Sequence, residues 1–286
     1  MRTASSIGAL AIMAALSATI GGAFAFDETK YPDLKGQWSR VRFPGVGGQP
    51  SFDQTKSAGA GQEAPLTAEY QAIFEANLKD QAAGGQGTDP TATCISPGMP
   101  RIMTAYEPME IVVTPETTHI LMEHIHDSRR IYTDGRPWPA EIEPSFAGYS
   151  IGAWREPDGS GRYAVLEAES RGFKGPRTYD AAGIPLHKDN RTVIKERFHL
   201  VQGSNDLLDD EITIIDHALT RPWTVTKHYR REAAQRPLWR ESVCAENNSH
   251  VQIGGEDYYL SADRELMPAK KGQQPPDLKY FGQPKK

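Results

Sequence analysis

The sequence predicts an all-β fold: a single antiparallel, calycin-like β-barrel or strongly curved sheet of about eight to ten strands, with one N-terminal helix. Three observations carry that prediction. From Met109 onward the apolar residues recur with a period of two, the spacing of side chains on one face of a strand. The alternating runs are short and are parted by turn-forming clusters such as Pro157-Asp158-Gly159-Ser160-Gly161 and Gly203-Ser204-Asn205. Only one segment carries a helical period.

In chain order, residues 1–25 read as a secretory signal. Arg2 is the positive n-region, Ile7 to Ile20 is small and apolar, and Ala23-Phe24-Ala25 fits the A-x-A cleavage pattern. The apolar run is short of the about 20 residues that span a bilayer, and no second one follows, so no membrane span is expected. The mature chain then starts near Phe26 in the periplasm or outside the cell. Losing Arg2 moves the formal net charge from −5 to −6. A mildly acidic chain without a basic patch is not expected to bind nucleic acid.

Asp33 to Trp38 opens the folded part with a G-x-W, and 43–61 is rich in Gly, Pro and Ser and reads as loop. Thr67 is the expected N-cap of a helix whose apolar stripe is Tyr70, Ile73, Phe74 and Leu78, with Gly84-Gly85 at its end. The expected strands are Met109–Thr114, His119–Asp127, Tyr149–Trp154, Arg162–Ser170, Thr192–Gln202, Asp206–Asp216, Trp223–Arg231 and Trp239–Val243. One barrel domain over 26–260 and a flexible Pro-, Gly- and Gln-rich tail over 261–286 are the resulting boundaries. Cys94 and Cys244 are the only cysteines, and in an exported chain an isolated pair is expected to form a disulfide.

The G-x-W followed by an antiparallel meander resembles lipocalin and wider calycin barrels. A second resemblance covers most of the mature chain. The G-x-W at Gly36 to Trp38, Asp89-Pro90 through Cys94 to Pro100, and His126 with Arg129 to Arg136 (RRIYTDGR) resemble a large family of secreted bacterial β-rich proteins without an assigned activity. Gly148 to Trp154 (GYSIGAW), Glu169 to Phe173, Glu196-Arg197-Phe198, Pro222 to Val225 and Cys244 to Asn248 extend the match. Tyr149 stands where that family usually has histidine. The resemblance implies the fold and export.

The densest run of titratable side chains is His119 to Pro139. Read as one alternating strand, it sets His124 and His126 on one face, followed by Arg130, Tyr132 and Asp134. A metal held by His124 and His126 would need a third ligand, for which His199, His217, His228, Glu167 and Glu169 are candidates. The simpler reading has no metal and no cofactor. His126 is then the general base, Arg130 binds a carboxylate or developing negative charge, and Tyr132 donates a hydrogen bond, with Asp134 and Glu169 completing the catalytic candidates. Ligand-binding candidates are His124, Tyr149, Trp154 and Glu167. The G-x-S-x-G at Gly148 to Gly152 continues a β pattern and lacks the helix that a nucleophile elbow needs.

Three functions fit these residues. First is a barrel holding a small hydrophobic or aromatic molecule in an internal pocket. Second is a metal-free acid–base enzyme, a lyase, isomerase or hydrolase, on the same scaffold. Third is a structural envelope protein. A small-molecule partner is expected, and the sequence leaves the oligomeric state open.

Overall fold

In a computed structural model, residues 26–41, 64–105, 107–124, 127–234, 238–241, 244, 250–253, 255–260 and 266–274 are described. The segment 1–25 read as a leader lies outside them. Among these residues there is one α-helix, and no helix is long and apolar enough to cross a membrane.

Nine strands close into a barrel: β1 (Gln37–Arg40), β2 (Met109–Val113), β3 (Thr117–Met122), β4 (Ser128–Tyr132), β5 (Tyr149–Arg155), β6 (Val165–Arg171), β7 (Val193–Leu200), β8 (Leu207–Ile215) and β9 (Trp223–Arg231). Neighbours in sequence are neighbours in the wall, and β1 shuts it against β9 through the pairs Trp38 with Arg231 and Arg40 with Tyr229. The expected all-antiparallel order fails at one seam. β4 and β5 pair in parallel, Ile131 with Ser150, because 133–148 is a proline-rich crossover long enough to return the chain in the same direction. Gly152 fits this seam: a Cβ there would come within 2.7 Å of both Ile131 Cγ2 and the Glu167 carbonyl oxygen.

Alternation decides which side chains fill the barrel. On β8 the buried residues are Leu208, Asp210, Ile212 and Ile214, and on β9 they are Trp223, Val225, Lys227 and Tyr229. Ile120, Ile131, Ile194 and Ile212 are fully shielded, each contributing about 1.5–3 kcal/mol by burial. The buried segment Met99 to Ala105 packs against this interior. The Tyr229 hydroxyl donates to the Met103 carbonyl at 2.5 Å, and the Arg40 guanidinium donates to that of Thr104.

The helix α1 (Ala68–Ala82) begins at Thr67, whose Oγ1 accepts the Tyr70 N–H. Its buried face is Tyr70, Phe74 and Asn77, while Ile73 of the expected stripe is 41% exposed. Asn77 can replace an apolar residue because its amide is satisfied: Nδ2 donates to Ala182 O at 2.7 Å and Oδ1 accepts Thr88 N–H at 2.8 Å.

Two further expectations change. The run read as one strand over His119–Asp127 ends as β3 at Met122, and β4, antiparallel to it, starts at Ser128; of the strand expected over Trp239–Val243, the described part, Trp239 to Glu241, is irregular. Beyond the barrel, β10 (His250–Ile253), β11 (Glu256–Leu260) and β12 (Leu266–Pro268) form a separate three-stranded sheet, so the segment read as tail from 261 supplies a strand. Cys94 and Cys244 are bonded, with an S–S distance of 2.09 Å, as expected.

Candidate functional site

The inner wall of the barrel carries a polar belt within an apolar lining. Lys227 on β9 faces Asp210 on β8, and one register step along come Glu196 on β7, then Ser170 on β6 and Ser150 on β5, which face each other. Such diagonal stepping suits side chains at one level of a barrel whose strands are tilted. Arg129 on β4 reaches across to bind them. Its Nη1 donates to Glu196 Oε1 at 2.7 Å, Nη2 to Glu196 Oε2 and to Ser170 Oγ (2.8 Å), and Nε to Ser150 Oγ at 3.4 Å. The two serine hydroxyls are 2.7 Å apart. A bidentate Arg–carboxylate pair with its remaining donors engaged is the arrangement that makes a buried ion pair tolerable.

Asp210 is different. It is 0% exposed, and neither carboxylate oxygen has a hydrogen-bond partner. Burial, with the Glu196 charge added to it, pushes its carboxyl well above the usual carboxylate range. Lys227 is pushed the other way, down to about 7, by burial first and by the charge of Arg40 second, against the opposing pull of Asp180 and Asp210. An acid raised and a base lowered, side by side in a closed interior, is the electrostatic pattern of functional sites.

The residues singled out from the sequence lie elsewhere, in several places. Arg130 is exposed on the outer wall, one residue out of phase with the inward Arg129. His126 lies outside the described residues. His124 sits in the turn after β3, with Nδ1 3.2 Å from Glu107, and its hydrogen bond holds the Glu107 carboxyl down at about 2. Its Nε2 is buried without a partner. Of the described ones, Trp154 faces inward, donating from Nε1 to Thr118 Oγ1 at 3.1 Å, with Tyr31 packed edge-on against its ring.

Glu167 and Glu169 line an outer groove of about 630 Å³ over β5 to β8, and Arg136, at its edge, ties it to Tyr132 and Asp134. Tyr132 stacks on Tyr149 at 5.0 Å, and the Arg136 guanidinium lies 3.9 Å over Tyr132. Arg136 also pairs with Asp134, holding that carboxyl down at about 2. Glu169 accepts from Arg171 Nε at 2.6 Å, and Glu167 from Arg155 Nε at 2.9 Å. Every acid singled out here has a cationic partner at the solvent face, where such pairs contribute little and leave no unused acceptor demand.

The chain matches no known family model and no curated protein.

Function has therefore to be read from geometry, and the inner belt is where the geometry is unusual. Arg129 and Glu196 fall in the motifs quoted above, but none of the belt residues was read as a site residue, although a signal existed. Asp210 keeps phase with Leu208 and Ile212, Lys227 with Val225 and Tyr229, Glu196 with Ile194 and Phe198, and Arg129 with Ile131. A charged residue standing at the apolar phase of a strand is marked for burial, and four strands repeat the pattern.

Proposed function

We propose that this chain is an exported barrel that binds a small molecule in its interior: an apolar or aromatic body with a hydrogen-bond-donating head group, the head group facing Asp210. The observation that carries this reading is the fully buried Asp210 carboxyl with both oxygens unpartnered. Leaving such a group unsatisfied costs about 1–3 kcal/mol, and more when it is charged, so a donor brought by a ligand recovers energy that the fold leaves unspent. Phe198, paired with Asp210 across β7 and β8, and Ile212, the next inward residue on β8, are the apolar neighbours of that carboxyl. The leader motif and the Cys94–Cys244 bond support export to an oxidising compartment. Membership of the secreted bacterial family that the motifs resemble is part of the same proposal.

Native mass spectrometry of the protein purified without denaturation tests it, together with titration by dansylcadaverine, a fluorescent hydrophobic amine, and Nile red. A co-purified molecule or a saturable dye signal, weakened at least about tenfold by Asp210→Asn, is the expected result. Absence of any adduct and of binding by either dye overturns the reading and favours a structural envelope role.

Acid–base turnover of the bound molecule is a second reading. The facing Lys227 and Asp210, with the lysine lowered to about 7, support it, and in this reading Lys227 is the group that moves the proton. Turnover of a co-purified molecule that is abolished by Lys227→Met, with binding retained, would establish it.

A further inference from the structure

We propose that His187, Asp189 and His217 form a binding site for one divalent transition-metal ion of the zinc class at the corner between two barrel loops. These residues lie apart from the inner belt. His187 and Asp189 belong to the turn before β7, and His217 to the corner between β8 and β9. One candidate ligand atom from each lies within 4.8 Å of the others.

The scaffold around them is built. Asp216 ties the two loops together: its Oδ1 accepts the His187 N–H at 2.9 Å and the Ala218 N–H at 2.8 Å, and its Oδ2 accepts the Thr192 hydroxyl. The turn itself is closed by Asn190 N–H donating to His187 O at 3.1 Å, with Asn190 in the left-handed region at φ 57°. Arg191 N–H donates to Asp189 Oδ1 at 3.0 Å and orients the carboxylate. Tyr70 of α1 packs on the His187 ring at 5.2 Å, and its hydroxyl oxygen accepts the Lys188 N–H. The two imidazoles end with centroids 5.5 Å apart and nearly perpendicular, and Asp189 lies between them.

The contacts inside the cluster ask for a cation. Asp189 Oδ2 is 2.7 Å from His217 Nδ1, an ordinary hydrogen bond. Asp189 Oδ1 is 2.9 Å from His187 Nδ1, yet that nitrogen accepts the Asp189 backbone N–H at 3.2 Å. In neutral His187 the ring proton then sits on Nε2, so a nitrogen lone pair and a carboxylate oxygen face each other with no hydrogen between them. Either a proton on Nδ1, which then donates to Asp189, or a metal ion between the two atoms removes that opposition. Two imidazoles and one carboxylate suit Zn²⁺, Cu²⁺ or Ni²⁺, whose metal–ligand lengths of about 2.0–2.2 Å set ligand atoms roughly 3.3–3.6 Å apart in a tetrahedron, within the 4.8 Å span of the cluster. His217 is largely exposed, so an ion enters from solution and keeps water on its remaining positions.

The test is calorimetric titration of the EDTA-treated mature protein with ZnCl₂. Wild type is expected to bind one equivalent. So is His199→Ala, which removes a histidine paired with Glu211 elsewhere on the wall. His217→Ala and Asp189→Asn should each weaken binding at least about tenfold, the smallest loss usual even for outer-shell changes at metal sites. Circular dichroism of the metal-free variants checks that they fold. Electron paramagnetic resonance of the Cu²⁺-loaded wild type, which needs no variant, should show two nitrogen ligands. No zinc binding, binding unchanged in both site variants, an equal loss in His199→Ala, or fewer than two nitrogen ligands overturns the proposal.

Discussion

Asp210 on β8 and Lys227 on β9 face each other across the inner wall of the barrel, both buried, with the carboxyl raised and the ammonium lowered in pKa. Burial opposes the charged form of each, and neither is drawn fully back to its ordinary value by the other. The fold holds two ionisable groups in the states that water would least favour.

Asp210→Asn should therefore stabilise the protein at pH 8, by about 1–2 kcal/mol in urea unfolding, because it removes a buried carboxyl whose oxygens accept no hydrogen bond. The sign with pH is fixed by linkage. A carboxyl raised in the folded state contributes stability below its unfolded value, near 4, and loses it as pH climbs through the folded value. The advantage of the variant should thus be small at pH 4 and grow by pH 8. An offset equal at the two pH values would rule out ionisation as its origin.

Lys227 works in the opposite sense. Its folded value of about 7 lies below the ordinary 10.5, so between those values unfolding takes up a proton and this group adds stability as pH rises. The stability difference between wild type and Lys227→Met should shift in favour of wild type from pH 7 to pH 9.5. Denaturant titrations at both pH values, with a flat difference, would refute it.

Arg129→Met leaves Glu196 buried without its bidentate partner, and a loss of about 3–5 kcal/mol is expected. Adding Glu196→Gln should recover part of that loss, since the stranded charge goes with it. A double-mutant cycle measures the coupling, and strict additivity would show that the two side chains do not interact.

The Cys94–Cys244 bond closes a loop of sequence separation 150. Replacing both cysteines by serine should cost about 2–5 kcal/mol, chiefly through the freer unfolded chain. Comparing thermal midpoints of wild type with and without reductant, and of the double variant, checks this. Identical midpoints would mean that the bond constrains nothing that unfolding releases.

The β3–β4 hairpin shows how far alternation can be carried. Within β8 or β9 every inward residue follows from period two, and the turn clusters between β5 and β6 and between β7 and β8 are evident in the sequence. Carried from the buried Met122 to Arg130, the same rule fails, because β3 ends at Met122 and β4 starts afresh at Ser128. A turn resets the phase, and so Arg129 rather than Arg130 enters the barrel. The parallel seam was equally hidden, since pairing direction depends on where a crossover lands and not on the residues of the strands it joins.

Local patterning was enough for the β class, the helix with its Thr67 cap, and six of the nine barrel strands, β2 and β5 to β9. Each of these rests on interactions between residues close along the chain. The tertiary structure alone decided that nine strands close on themselves, and that Arg129, Glu196, Asp210 and Lys227, from four strands, meet inside. It also brought His187 and Asp189 against His217. Such meetings are set by closure, register and loop packing over long stretches of chain, where local periodicity carries no information.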